Sequence, residues 1–239
     1  MKHSYLIILL LIILPFISFS QRKNSYGQNI KMYPADRVLV EINYLQWQDL
    51  PPEIGIRNIN RGFRLGYFLD NPIGGSRFSL GIGLSFTANN LYSDALPKYL
   101  VDSSSNSFTN FINIKDISPN ANHFSINKMT FNYAGIPIEL RLRLGKDELW
   151  KISAGFEVGY MISSYIKYVG DDVFHKNDNH IKFKFYHIQN AMKLRYGLSF
   201  RLGYNRYQLR AFYPLTKNFI ENKGPQLYPI EIGFSLMVF

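Results

Sequence analysis

The chain has 239 residues, 46% of them hydrophobic and 18% charged, with no cysteine and a formal net charge of +10. Without cysteine there is no disulfide framework, no cysteine-ligated metal and no lipid anchor on a thiol. An aromatic content of 16% beside so few charges suits an outer surface that meets lipid, with aromatic belts where hydrocarbon gives way to headgroups.

In chain order, Lys2 and His3 precede an apolar run from Tyr5 to Phe19 that contains Pro15 and ends in SFSQ. This is the layout of a secretory signal peptide over residues 1–20, cut after Ser20, with residues 21–35 as a periplasmic segment. An uncleaved anchor is the weaker alternative, because the run is short for a spanning helix and carries a proline. No later stretch approaches the roughly 20 apolar residues a spanning helix needs. An exported chain is a poor candidate for nucleic-acid binding, so the positive charge is expected to meet anionic outer-membrane lipid and lipopolysaccharide, or the protein's own interior.

From residue 36 to 239 the pattern is one of strict alternation, the period of a β-strand. Residues 37–47 set Val38, Val40, Ile42 and Tyr44 against Leu39, Glu41, Asn43 and Leu45. Residues 61–69 set Phe63, Leu65, Tyr67 and Leu69 against Arg64, Gly66 and Phe68. Residues 77–87, RFSLGIGLSFT, set Phe78, Leu80, Ile82, Leu84 and Phe86 against serine, glycine and threonine. Four further segments, 134–145, 149–163, 193–204 and 207–215, repeat the pattern, and residues 229–239 close the series as the eighth. A parity change between Tyr133 and Ile136 points to a β-bulge or break near Gly135.

The connections alternate as well. Long stretches (48–60, 88–129, 164–190, 216–228) follow the odd segments, and short ones (70–76, 145–148, and the YNRY turn) follow the even ones. That is an all-β, eight-stranded antiparallel up-and-down transmembrane barrel with long extracellular loops and short periplasmic turns. Glycine is a poor choice for a solvated strand face. On the inside of a narrow barrel it makes room for longer side chains. A soluble lipocalin-like barrel would reverse the faces, and arginines on the small-residue face argue against an apolar cavity.

The inward face carries Glu41, Arg64, Glu139, Arg141, Arg143, Lys151, Glu157, Lys193, Arg195, Arg201, Arg210 and Glu231. Charges in so narrow a space must be paired or solvated. One reading is a salt-bridged plug in which Arg141 and Arg143 meet Glu157, with Glu139 or Glu231 as further partners. The other is a narrow conduit that favours anions, because bases outnumber acids. Catalysis has little support, and no cofactor or metal is expected. His175, His180 and His187 accompany Asp171, Asp172 and Asp178, but the spacing matches no zinc pattern and reads as a solvated extracellular loop. SSSNSFTNF in the longest loop reads as flexible polar surface.

Two segments carry a family resemblance. FNYAGIPIELRLRLG (residues 131–145) resembles the Y-x-x-I-P-x-x-L-[KR] strand of the PorT-like outer-membrane barrel proteins of Bacteroidetes-type bacteria. FYPLTKNFIENKGPQLYPIEIGFSLMVF (residues 212–239) resembles their last two strands, including a Lys-Gly-Pro turn and a closing aromatic. Ala134 and Gly135 depart from the family, many of whose members carry a bulkier residue and an acid there. The resemblance implies an integral outer-membrane protein, and the lack of a catalytic constellation in the residues makes a non-enzymatic one the expectation. The alternative is a small barrel that binds an external ligand through its long loops or passes small anions. The resemblance also implies other secretion-machinery proteins as partners, since the namesake serves type IX protein secretion.

Overall fold

The computed structural model describes residues 37–74, 76–103, 105–118, 123–145, 149–174 and 180–238. The expected signal peptide and the segment to residue 35 lie outside the described residues. Eight strands form the barrel: Val38–Gln48 (β1), Arg61–Pro72 (β2), Phe78–Tyr92 (β3), Phe124–Leu144 (β6), Trp150–Asp171 (β7), Leu194–Tyr204 (β9), Tyr207–Pro214 (β10) and Tyr228–Val238 (β11). Ala95–Val101 (β4), Ser107–Asn113 (β5), the helical turn Ile114–Ile117 (α1) and His180–Tyr186 (β8) belong to the long-loop end.

Every barrel strand pairs antiparallel with its chain neighbour in the barrel. The first and last strands close it, in register from Val38↔Val238 to Gln48↔Tyr228. Closure is what lets strands lie in hydrocarbon, because no backbone edge is left unpaired there. At the short-turn end Asn205 adopts a φ of 53°, a left-handed value that asparagine tolerates and a two-residue hairpin needs.

The alternation resolves as the barrel requires. Ile42, Leu84, Ile136, Leu198 and Phe234 are exposed on the outer wall, while Glu41, Ser85, Pro137, Ser199 and Gly233 face inward and are buried. Aromatic pairs mark the two rims of the apolar band. Trp150 stands 5.1 Å from Tyr204 and Tyr207 6.0 Å from Phe234 at the short-turn rim, and Tyr213 lies 6.1 Å from Tyr228 at the other.

The parity change near Gly135 has a different origin from the one expected. In β6 the inward series runs unbroken through Phe131, Tyr133, Gly135, Pro137 and Glu139. What changes is the chemistry of the lumen, which becomes apolar toward the long-loop end. The bulge lies instead on β7, where Asn132 pairs with Ser163 but Tyr133 with Met161, leaving Ile162 as the extra residue. Pro137 leaves its own trace. The β3–β6 ladder is interrupted between Ile82↔Ile138 and Ser85↔Gly135 without a change of register, as a residue lacking an N–H requires.

The long loops are more ordered than alternation suggests. Strands β6 and β7 continue beyond the membrane, β8 pairs with β7 from Tyr165↔Tyr186 to Asp171↔His180, and β4 and β5 form a hairpin. The expected flexible stretch therefore contributes strand β5, with Thr109 and Phe111 buried. The expected solvated loop at 171–187 contributes β8 and the buried residues Asp172 and Val173. His175 and Asp178 lie outside the described residues.

Candidate functional site

The lumen is filled in three layers. At the periplasmic end Leu39, Phe68 and Met237 form a small apolar plug. At the other end Leu45, Trp47, Phe131 and Tyr133 on the barrel strands join Phe111, Ile114, Phe219 and Leu227 from the long loops in one core. Phe219 meets both Phe111 and Phe131 edge-on, with ring centroids 6.0 and 6.2 Å apart. Polar bonds knit this cap. Thr109 N donates to Lys223 O at 2.8 Å, and Asn127 Nδ2 donates to the carbonyls of Ser93 and Ala95, each at 2.9 Å.

Between the apolar layers, and on past the small plug to the periplasmic mouth, runs a continuous ion-pair network. Arg210 is its hub, reaching Glu41 at 3.1 Å, Glu231 at 3.0 Å and Glu157 at 3.3 Å. Arg64 meets Glu157 at 2.6 Å, and Arg195 pairs with Glu231. Arg201 joins Glu41 at 3.2 Å to Glu139 at 2.9 Å, and Arg141 meets Glu139 at 3.1 Å. Asp70 ends the chain of pairs, with Arg141 at 3.9 Å and Arg143 bonded beside it. Neutral groups fill in: Ser85 Oγ donates to Glu157 Oε1 at 2.9 Å and Asn89 Nδ2 to Glu231 Oε1 at 2.7 Å.

The cations of the network are all arginines, whose planar fork can serve two carboxylates at once where a lysine acts as a point charge. Aromatic faces lie against some of these guanidinium groups. Arg141 lies 4.3 Å from the Phe68 ring centroid, and Arg195 lies 4.3 Å from that of Phe212. Glycines provide the room. A Cβ on Gly81 would stand 2.7 Å from Arg141 Nε, and one on Gly135 would stand 2.8 Å from Ser85 Oγ and 3.0 Å from Glu157 Oε1.

Nine of the twelve residues expected inside are buried there: Glu41, Arg64, Glu139, Arg141, Glu157, Arg195, Arg201, Arg210 and Glu231. Arg143 and Lys151 are half-buried at the periplasmic mouth. Lys193 is exposed just before β9 and is not in the lumen. The expected partnership of Arg141 and Arg143 with Glu157 is not the one formed. Glu157 serves Arg64 and Arg210, while Arg141 takes Glu139 and Asp70 and Arg143 takes Asp70. Asp70 opens the stretch 70–76 that reads as a turn, so alternation over residues 61–69 does not include it. Extending the Arg64, Gly66, Phe68 series by one step finds it, since β2 runs on to Pro72.

The histidine cluster is dispersed. His180 Nδ1 lies 3.3 Å from Asp171 Oδ1 and His123 Nδ1 lies 3.7 Å from Asp171 Oδ2, both histidine side chains being largely exposed. The backbone N–H of His187 donates to Ser164 O elsewhere. Among the described residues no group of three His, Cys, Asp or Glu is placed to hold a metal ion.

Comparison with known proteins agrees with this architecture. No curated protein matches the chain. A family model described as an outer membrane protein beta-barrel domain matches residues 19–219, all but the closing strand of the barrel. The chain belongs to this family of outer-membrane β-barrel proteins and is located in the outer membrane.

Proposed function

We propose that the protein works as a closed, non-enzymatic membrane scaffold whose capped extracellular end is its working surface, and that it is a PorT-like accessory of type IX protein secretion. One observation carries the scaffold reading: an apolar plug, a buried ion-pair network and an apolar cap succeed one another along the lumen. The cavity lined by Arg141, Arg143, Lys151, Ser153, Gln208 and Met237 is about 10 Å³, space for about one water. A barrel so filled offers a solute no path, which disfavours the anion conduit. It also spends its long loops on a folded cap, the arrangement of a surface that other macromolecules meet.

The secretion role rests on the likeness of residues 131–145 and 212–239 to PorT-like proteins. It is tested by deleting the gene and measuring the export of type IX cargo. The same experiment includes site-specific cross-linking from exposed cap positions such as Lys98 and Lys115 to the secretion components. Loss of cargo export with cross-links to those components supports the role. Normal export with no such cross-link refutes it and leaves the scaffold reading to be judged separately.

A further inference from the structure

Beyond the membrane, the outer wall of β6, β7 and β8 carries a row of lysines. Lys128 is opposite Lys167 across the β6–β7 ladder, and Lys167 is opposite Lys184 across β7–β8. Lys182 stands opposite Val169 on the same outward face. Like charges set directly opposite each other on neighbouring strands are destabilising. Among the described residues no carboxylate forms a salt bridge with any of the four. Lys128 Nζ donates instead to the neutral Asn90 Oδ1 at 2.9 Å. Lys184 Nζ lies over the rings of Tyr165 and Tyr186, 3.7 and 4.5 Å from their centroids.

Lysines on a sheet edge discourage unwanted strand pairing, and β8 is such an edge. That accounts for Lys182 and Lys184. It does not account for Lys128 or Lys167, whose strands are paired on both sides at these positions. The row also borders a cleft of about 440 Å³ formed with Tyr165 and Phe183. Its height is informative. Lys167 lies on the strand of lipid-facing Tyr160, past the bulge. At about 3.3 Å per residue and a tilt near 40°, it is roughly 15–20 Å further out. That is the depth of a sugar headgroup, and the lysines face sideways into the leaflet rather than up into the medium.

We infer that Lys128, Lys167, Lys182 and Lys184 form a lateral binding site for the phosphorylated sugar headgroup of an outer-leaflet glycolipid. Charge complementarity carries the assignment. A row of unpaired cations across three rigid strands is stabilised by an anion with several phosphates, and such headgroups surround this wall of the barrel. The aromatic rings beside the row offer faces for the sugars.

The test uses the full-length protein in detergent, titrated with lipopolysaccharide, with its dephosphorylated counterpart and with inorganic phosphate, and read by native mass spectrometry. Each lysine near such a charged surface contributes roughly fivefold to affinity. The triple variant Lys128→Gln, Lys167→Gln, Lys184→Gln is therefore expected to bind lipopolysaccharide roughly 100-fold more weakly. An equal loss of charge elsewhere on the cap, at the exposed residues Lys98, Lys115 and Lys223, is expected to change it little. If the triple variant folds poorly, Lys167→Gln alone is expected to give roughly a fivefold loss, and Lys167→Arg to retain binding. Three results would each overturn the site: equal loss in both triple variants, undiminished binding of the dephosphorylated lipid, or displacement of the glycolipid by inorganic phosphate at comparable concentration.

Discussion

Replacing Glu157 with glutamine isolates the contribution of one buried carboxylate. Glu157 is 4% exposed, and its Oε2 accepts from Arg64 at 2.6 Å and from Arg210 at 3.3 Å. The two arginines depend on it unequally. Arg210 keeps Glu41 and Glu231. Arg64 is fully buried and has Glu157 as its one ion-pair partner among the described residues. Glu157→Gln therefore strands the Arg64 charge in the lumen, and breaking a buried pair in this way costs about 3–5 kcal/mol. Glu139→Gln is expected to cost less, because Arg201 retains Glu41 and Arg141 retains Asp70. Adding Arg64→Met to Glu157→Gln is expected to recover most of the loss, since the stranded charge goes with it. Urea titration of folding in detergent, followed by tryptophan fluorescence and heat-modifiable gel migration, gives all three values. An unchanged midpoint for Glu157→Gln, or a double variant no more stable than the single one, would refute the ion-pair account.

Further outcomes follow from the other layers. Leu84 is 64% exposed on the outer wall midway along β3, so Leu84→Arg is expected to weaken folding into lipid vesicles by about 2–4 kcal/mol, while exposed Lys98→Gln leaves it unchanged. Ile82 faces the same way, between Leu69 and Ile138, and Ile82→Arg is expected to act likewise. Gly81→Ala is expected to act from inside through Arg141, so that it shifts stability in detergent as much as in lipid. Phe219→Ala removes the ring that joins the cap to the barrel. It is expected to cost about 3–5 kcal/mol and to open the 95–113 hairpin to limited proteolysis without unfolding the membrane strands.

Much of this fold was legible because lipid imposes its pattern on every strand it touches. The outward series from Val38 to Tyr44 and from Phe78 to Phe86 had to be apolar, and that alone set period, facing and strand number. The cap was not legible for the same reason. Beyond the membrane the outer face no longer has to be apolar, so β4 and β5 lose the enforced alternation and Ser107, Thr109 and Asn113 read as loop. Strand β8 alternates Lys182 and Lys184 with Ile181, Phe183 and Phe185 but turns its charges outward, the reverse of a lipid-facing strand. The inside was half legible. Glu41, Arg64 and Arg210 stand out against glycine and serine, but Phe131 and Tyr133 are apolar on the inward face and so imitate a reversal of parity. Partner choice was beyond a one-dimensional reading. Arg64 and Glu157 are on strands that are not neighbours and meet across the lumen, where no strand register relates them.

On the scaffold reading this barrel is shut by its own side chains. Single-channel recording of the purified protein in planar bilayers tests it most directly. The filled lumen predicts a baseline without conductance steps for the wild type and for Lys98→Gln. Reproducible, anion-selective steps from the wild type, altered by substituting Arg210, would contradict it.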